Sequence, residues 1–223
     1  MKTNAFSIQI LFCLLFIGGL SNAFAQAFDI SSGGAPTITG ALGGSVTGSS
    51  SVITDLAVTI NFGQVSPINT NNIVKVILPI SIRSNTAYKV TATVTGTTNA
   101  NLQAIQETDI GFGENNLRAM GNRSEVCNDS DHIFYAPFDN DPASNLTINA
   151  VTGRTQYPST LSNIGVSTTI MSGPRLTQGS MNRATNNGYI FDAIFAITPQ
   201  FYAAGTTSMT ITFTISAGPN VPC

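Results

Sequence analysis

The stretch "TTSMTITFTISAGPNVPC" alternates residue by residue: Met209, Ile211, Phe213 and Ile215 are apolar, and Thr210, Thr212 and Thr214 between them are polar. A period of two is the repeat of a β-strand with one buried and one wet face, and it does not fit a helix. The pattern recurs along the chain. "VITDLAVTINFGQV" sets Leu56, Val58, Ile60 and Phe62 in one phase. "IVKVILPISI" does the same with Val74, Val76, Leu78, Ile80 and Ile82, and "AYKVTATVTG" with Tyr88, Val90, Ala92 and Val94. "GYIFDAIFAI" is apolar in both phases, which predicts a strand covered on both faces.

Between these runs stand turn formers such as "PINTNN" and "RSNTA". Pro79 lies inside a run and predicts an edge position or a bulge, because proline donates no ladder hydrogen bond. Only "NLQAIQ" offers a short helical pattern. The region from Glu107 to Asn187 is less regular and reads as strands joined by long loops. Together these features predict an all-β chain: a β-sandwich forming a single domain with long loops.

The other end of the chain addresses it for export. "MKTNAFSIQILFCLLFIGGLSNAFA" carries one early cation, Lys2, then an apolar run from Ile8 to Leu20, then Ala23-Phe24-Ala25. This is the layout of a secretory signal peptide over residues 1–25, and the run is shorter than the roughly 20 residues of a membrane span. The expected organisation is a signal peptide (1–25), an N-terminal extension or first strand (26–50) and a sandwich domain (51–223). The mature protein is expected in the periplasm, on the cell surface or outside the cell, with no membrane span.

Cys13 leaves with the signal peptide, so Cys127 and Cys223 can pair only with each other. An oxidising compartment favours the bridge over two free thiols. Closing a loop of roughly 100 residues contributes about 4–5 kcal/mol in the chain-entropy account, and it would anchor the chain end.

Charged residues are 9% of the chain, against about 25% in ordinary soluble proteins, and the formal net charge is -2. A nucleic-acid partner needs a basic stripe, which this sequence lacks. Low charge also removes a common guard of exposed sheet edges.

Catalytic chemistry has few candidates. There is one histidine, His132, and the sequence contains no Gly-x-Ser-x-Gly elbow. The close acidic pairs are Glu107/Asp109, Asp129/Asp131 and Asp139/Asp141. In "CNDSDHIFYAPFDND" the carboxylates of Asp129, Asp131, Asp139 and Asp141 could supply oxygen ligands to calcium, though the run is not an EF-hand loop. The competing reading is a loop whose aspartates bond nearby backbone. No other cofactor motif is present, and a non-enzymatic role is expected. One form of it is a secreted binding module that takes glycan or calcium through residues 127–142.

"DLAVTINFGQVSP" followed by "VKVILPISIRSNTAYKVTATVTG" resembles spore coat protein U and the related chaperone–usher pilin domains. The likeness lies in the strand ending at Phe62-Gly63 and the following strand that leads into the arm carrying Tyr88. It extends to "FYAAGTTSMTITFTIS", where Gly205 precedes the Thr-rich alternation. The chain differs in having no cysteine in "PISIRSN" and in a longer middle that carries Cys127. The resemblance implies an immunoglobulin-like, pilin-like sandwich: an exported structural or adhesive surface subunit, partnered by itself or by related subunits and by a periplasmic chaperone. It also implies assembly by β-strand addition. "TITGALGGSVT" would be the added strand, with Ile38, Gly40, Leu42, Gly44 and Val46 on one face. The alternative is that this segment serves as an intramolecular first strand.

Overall fold

The computed structural model describes residues 28–40, 44–52, 54–65, 73–95, 105–120, 129–176, 188–199 and 205–219. The expected signal peptide, Leu42, Cys127 and Cys223 lie outside them. In chain order the strands are β1 (Phe28–Ser32), β2 (Thr37–Thr39), β3 (Ser45–Val52), β4 (Asp55–Val65), β5 (Val74–Ser84), β6 (Tyr88–Thr95) and β7 (Ile110–Met120). Then follow β8 (Ile133–Phe134), β9 (Thr147–Ile148), β10 (Thr155–Gln156), β11 (Thr168–Gly173), β12 (Gly188–Ile197) and β13 (Gly205–Ala217). The chain is all-β. Among the described residues the helical elements are three short 3-10 turns, Glu107–Asp109, Asp129–Asp131 and Leu161–Asn163.

Two antiparallel sheets face each other. The first runs β1-β5-β12-β7, with β2 also paired to β5, and the second runs β3-β4-β13-β6-β11-β8. The alternation explains why they stack. Val76, Leu78, Ile80 and Ile82 of β5 share one core with Val58, Ile60 and Phe62 of β4 and with Ile211, Phe213 and Ile215 of β13. Phe112 of the first sheet lies 6.4 Å, ring to ring, from Phe213 of the second. On the outer face of the second sheet the threonines pair across strands: the Thr59 and Thr210 hydroxyls are 3.0 Å apart, and the Thr214 hydroxyl donates to Asp55. The C-terminal strand sits mid-sheet, between β4 and β6. β12, apolar in both phases, is central in the first sheet.

Two sequence expectations change. The segment 37–47 is not one strand. Ile38 of β2 pairs with Val76 of β5 in the first sheet, whereas Val46 of β3 pairs with Ile60 of β4 in the second. Gly40 adopts φ +78°, a region that L side chains rarely occupy, and β2 ends at the residue before it.

Pro79 is neither in an edge strand nor at a bulge. It lies in β5 opposite Asp192 of β12. Its carbonyl accepts the Gly33 amide at 2.8 Å, so its nitrogen also points towards the N-terminal strands. There the ladder is interrupted between Ser32 and Thr37, and the missing donor meets a gap.

Candidate functional site

A group of polar and aromatic side chains lies between the sheets at the His132 end. The Tyr88 hydroxyl and His132 Nδ1 are hydrogen-bonded at 2.9 Å. The His132 ring is 4.6 Å from that of Tyr189, at a 47° tilt. β6 supplies Tyr88, β12 supplies Tyr189, and His132 stands between the Asp129–Asp131 turn and β8. Gly173 of β11 makes the arrangement possible, because a Cβ there would overlap His132 Nδ1. His132, the one histidine, is thus held by two phenols. Burial pushes the Tyr88 hydroxyl well above its ordinary range, with smaller contributions from Tyr189 and Glu114.

Glu114 belongs to the same region. Ile110, Phe112 and Glu114 share a phase of β7, and Phe112 and Glu114 pair with Phe195 and Ala193 of β12. That phase faces the core, so the carboxyl is fully buried. Neither of its oxygens has a hydrogen-bond partner among the described residues, and burial pushes it well above the usual carboxylate range. An acid in the apolar phase of "IGFGENN" was the available sequence signal, and it was missed.

The opposite phase of β7 is glycine. A Cβ on Gly113 would overlap the Asn140 carbonyl, and one on Gly111 would lie 2.6 Å from the Tyr157 ring. These glycines let residues 135–160 lie as a strap along β7. The Glu114 amide donates to the Phe138 carbonyl at 2.7 Å, and the Phe112 amide donates to the Ser159 carbonyl at 3.1 Å. The Phe138 ring packs 5.5 Å from Phe112. β9 and β10 form a hairpin between these two attachments. The Tyr157 hydroxyl bonds Thr198 at 2.7 Å, and burial pushes that phenol up to about 12.

The expected calcium carboxylates are distributed differently. Asp141 is engaged by protein donors: Lys75 Nζ at 2.5 Å, Ser144 Oγ at 3.0 Å and the Ala143 amide at 3.0 Å. Burial alone would raise this carboxyl, but the hydrogen bonds and the Lys75 charge outweigh it and hold it below the usual range. Asp139 is exposed, and Asp129 and Asp131 bound a 3-10 turn. No group of three or more His, Cys, Asp or Glu side chains suited to a metal ion occurs among the described residues. Asp141 therefore matches the backbone-bonding alternative. Asp109 likewise accepts the Gln106 amide at 2.9 Å and caps its own turn.

The strand-addition residues divide between the sheets. Ile38 and Val46 pack against the core from opposite layers, Gly40 ends β2, and Gly44 precedes β3. A second polar group, on the outer face of the first sheet, centres on Asp192. It takes Asn116 Nδ2 at 2.6 Å and Arg118 Nη1 at 2.9 Å. Asn116, at φ +56°, lies where the β7–β12 register shifts.

No protein-family model, curated protein or solved structure matches the chain. Among the described residues no helix is long and apolar enough to cross a membrane.

Proposed function

We propose that the chain is an exported structural or adhesive subunit of a cell surface, an immunoglobulin-like sandwich that joins copies of itself through its N-terminal strands. The observation that carries this reading is the placement of residues 28–52. β1 and β2 line β5 at one edge of the first sheet, and β3 lines β4 at one edge of the second. One end of the chain thus supplies an edge to both layers. It brings Ile30 fully into the core and packs Phe28, Ile38 and Val46 against it.

Fully burying Ile30 stabilises by about 1.5–3 kcal/mol and the partly buried Phe28, Ile38 and Val46 add less each, so a sandwich without this segment loses a sizeable part of a domain's net stability of about 5–15 kcal/mol. A neighbour's copy of the segment would restore the same contacts. That makes exchange between chains close to neutral in energy and driven by concentration. β3 carries no charged residue and no proline, so its edge lacks the usual obstacles to pairing.

Size-exclusion chromatography with light scattering on chain 26–223, and on the same chain lacking residues 26–47, tests this reading. The intact chain is expected to form oligomers as concentration rises. The shortened chain is expected to fold only when a peptide of residues 26–47 is added. A strictly monomeric intact chain, together with a shortened chain that folds unaided, would refute it.

A further inference from the structure

Among the described residues Glu114 has no partner that explains a carboxyl in the core. The side chain is fully buried opposite Ala193, and both oxygens lack a hydrogen-bond donor among the described residues. Tyr88 from β6 interacts electrostatically with Glu114 and with Tyr189 from β12, and His132 is bonded to Tyr88 and packed on Tyr189. No cation from the described residues offsets its charge. An ionised carboxylate is poorly tolerated among Phe112, Phe195 and Ala193.

The two sides of β7 are held unequally. β12 binds it along its length, from Ile110 to Met120. The other side is a seam with the strap: the Glu114 amide on the Phe138 carbonyl, the Phe112 amide on the Ser159 carbonyl, the Ser159 hydroxyl on the Phe112 carbonyl, and the bridge between Gly111 and Thr160. The weaker side therefore gives way first when Glu114 has to leave the core, and the bond nearest the acid is the one its own amide makes.

We propose that Glu114 is a proton-controlled latch on the strap formed by residues 135–160. With its proton the carboxyl stays between the sheets and the strap lies on β7. Without it, the charge reaches water by opening the β7–strap seam. Opening frees the edge groups of Phe112 and Glu114 for another strand. Burial holds the proton on in acid, so the latch is closed at low pH and releases as pH rises.

Amide hydrogen exchange followed by NMR on chain 26–223, corrected for the intrinsic pH dependence of exchange, reads the latch directly. Above the ordinary glutamate range near pH 4.3, the opening constant at the Phe112 and Glu114 amides is expected to rise about tenfold per pH unit. It should level off where the Glu114 carboxyl carbon signal titrates. The Ile211 and Phe213 amides of β13 are expected to open far less than the seam at every pH, following only the loss of global stability, and E114Q is expected to be flat throughout. A Glu114 signal that titrates near pH 4.3 would overturn the proposal. So would seam opening that ignores pH or follows it equally in E114Q. Equal opening constants at β13 and at the seam would also overturn it, because ionisation would then unfold the domain and not a seam. Should E114Q fail to fold, the wild-type carboxyl titration and amide plateau decide: coincidence supports the latch, and separation overturns it.

Discussion

Gly173 of β11 occupies the position from which any side chain would displace His132. A Cβ there would overlap His132 Nδ1 and lie 3.1 Å from the Tyr88 ring. The Tyr88–His132 bond therefore depends on a residue with no side chain, 41 positions further along the chain. G173A is expected to destabilise the domain by about 1–3 kcal/mol, the usual cost of overpacking. H132A made in the G173A background should recover part of that loss, because it removes the overlapped ring. Urea denaturation of the two single variants and the double variant measures the coupling. Strict additivity would mean that the two residues do not touch.

The core carboxyl gives a second prediction, this time for global stability. The folded-state pKa of Glu114 is raised, so the neutral form is favoured in the native protein. Stability is then greatest below the unfolded-state value near 4.3 and falls by about 1.4 kcal/mol per pH unit until the folded group titrates or the seam opens. E114Q should match the wild type near pH 4 and exceed it at pH 7–8. Denaturant midpoints across that range check the sign. A wild type that gains stability over E114Q as pH rises would contradict it.

Asp141 behaves in the opposite way. Its folded-state pKa is lowered, so its contribution is present above the unfolded carboxylate range and disappears as pH falls through the folded value. The Lys75–Asp141 pair is partly exposed, at 25% and 18% of the two side chains, and solvent screening limits it to about 0.5–1 kcal/mol. D141N is expected to cost about that much at pH 7. Because both Asp141 oxygens already accept protein donors, adding calcium or EDTA should leave the melting temperature of the wild type unchanged. A clear rise with calcium would point to a metal site that displaces Lys75.

The crossing between the layers supplies a fourth prediction. Gly40 has φ +78°, and a Cβ would run into the Ile73 carbonyl. G40A is expected to destabilise by at least about 1 kcal/mol, against the usual effect of replacing a glycine with alanine. The chevron or equilibrium midpoint of this variant tests whether Gly40 sits against the Ile73 carbonyl as described.

The strands themselves were legible because their chemistry is local. Leu56, Val58, Ile60 and Phe62, or Met209, Ile211, Phe213 and Ile215, announce one buried face by alternation alone, and all are buried. Sheet membership was not legible, because it depends on pairings across the whole chain. Ile38 and Val46 share a phase in the sequence and still join different layers. Pro79 misled for the same reason: a proline argues against a ladder bond at its own nitrogen, and the interruption between Ser32 and Thr37 supplies the gap without an edge strand or bulge. The site was partly legible. His132 stood out as a lone imidazole, but its two tyrosine neighbours come from strands far apart in the chain. Glu114 and the glycines beside it carried a signal in their phase, which becomes readable once an acid among alternating apolar residues is taken as a core position.

The most direct test of the central claim uses the pairing of Ile38 with Val76. I38C and V76C chains are prepared separately, mixed at high concentration and oxidised, and the products are mapped by mass spectrometry. If the N-terminal strands are exchanged between copies, a covalent dimer bridged between positions 38 and 76 forms from the mixture. The doubly substituted chain, held dilute, closes the same bridge within itself. A mixture that yields no 38–76 bridge, while the double variant closes it readily, would contradict assembly through these strands.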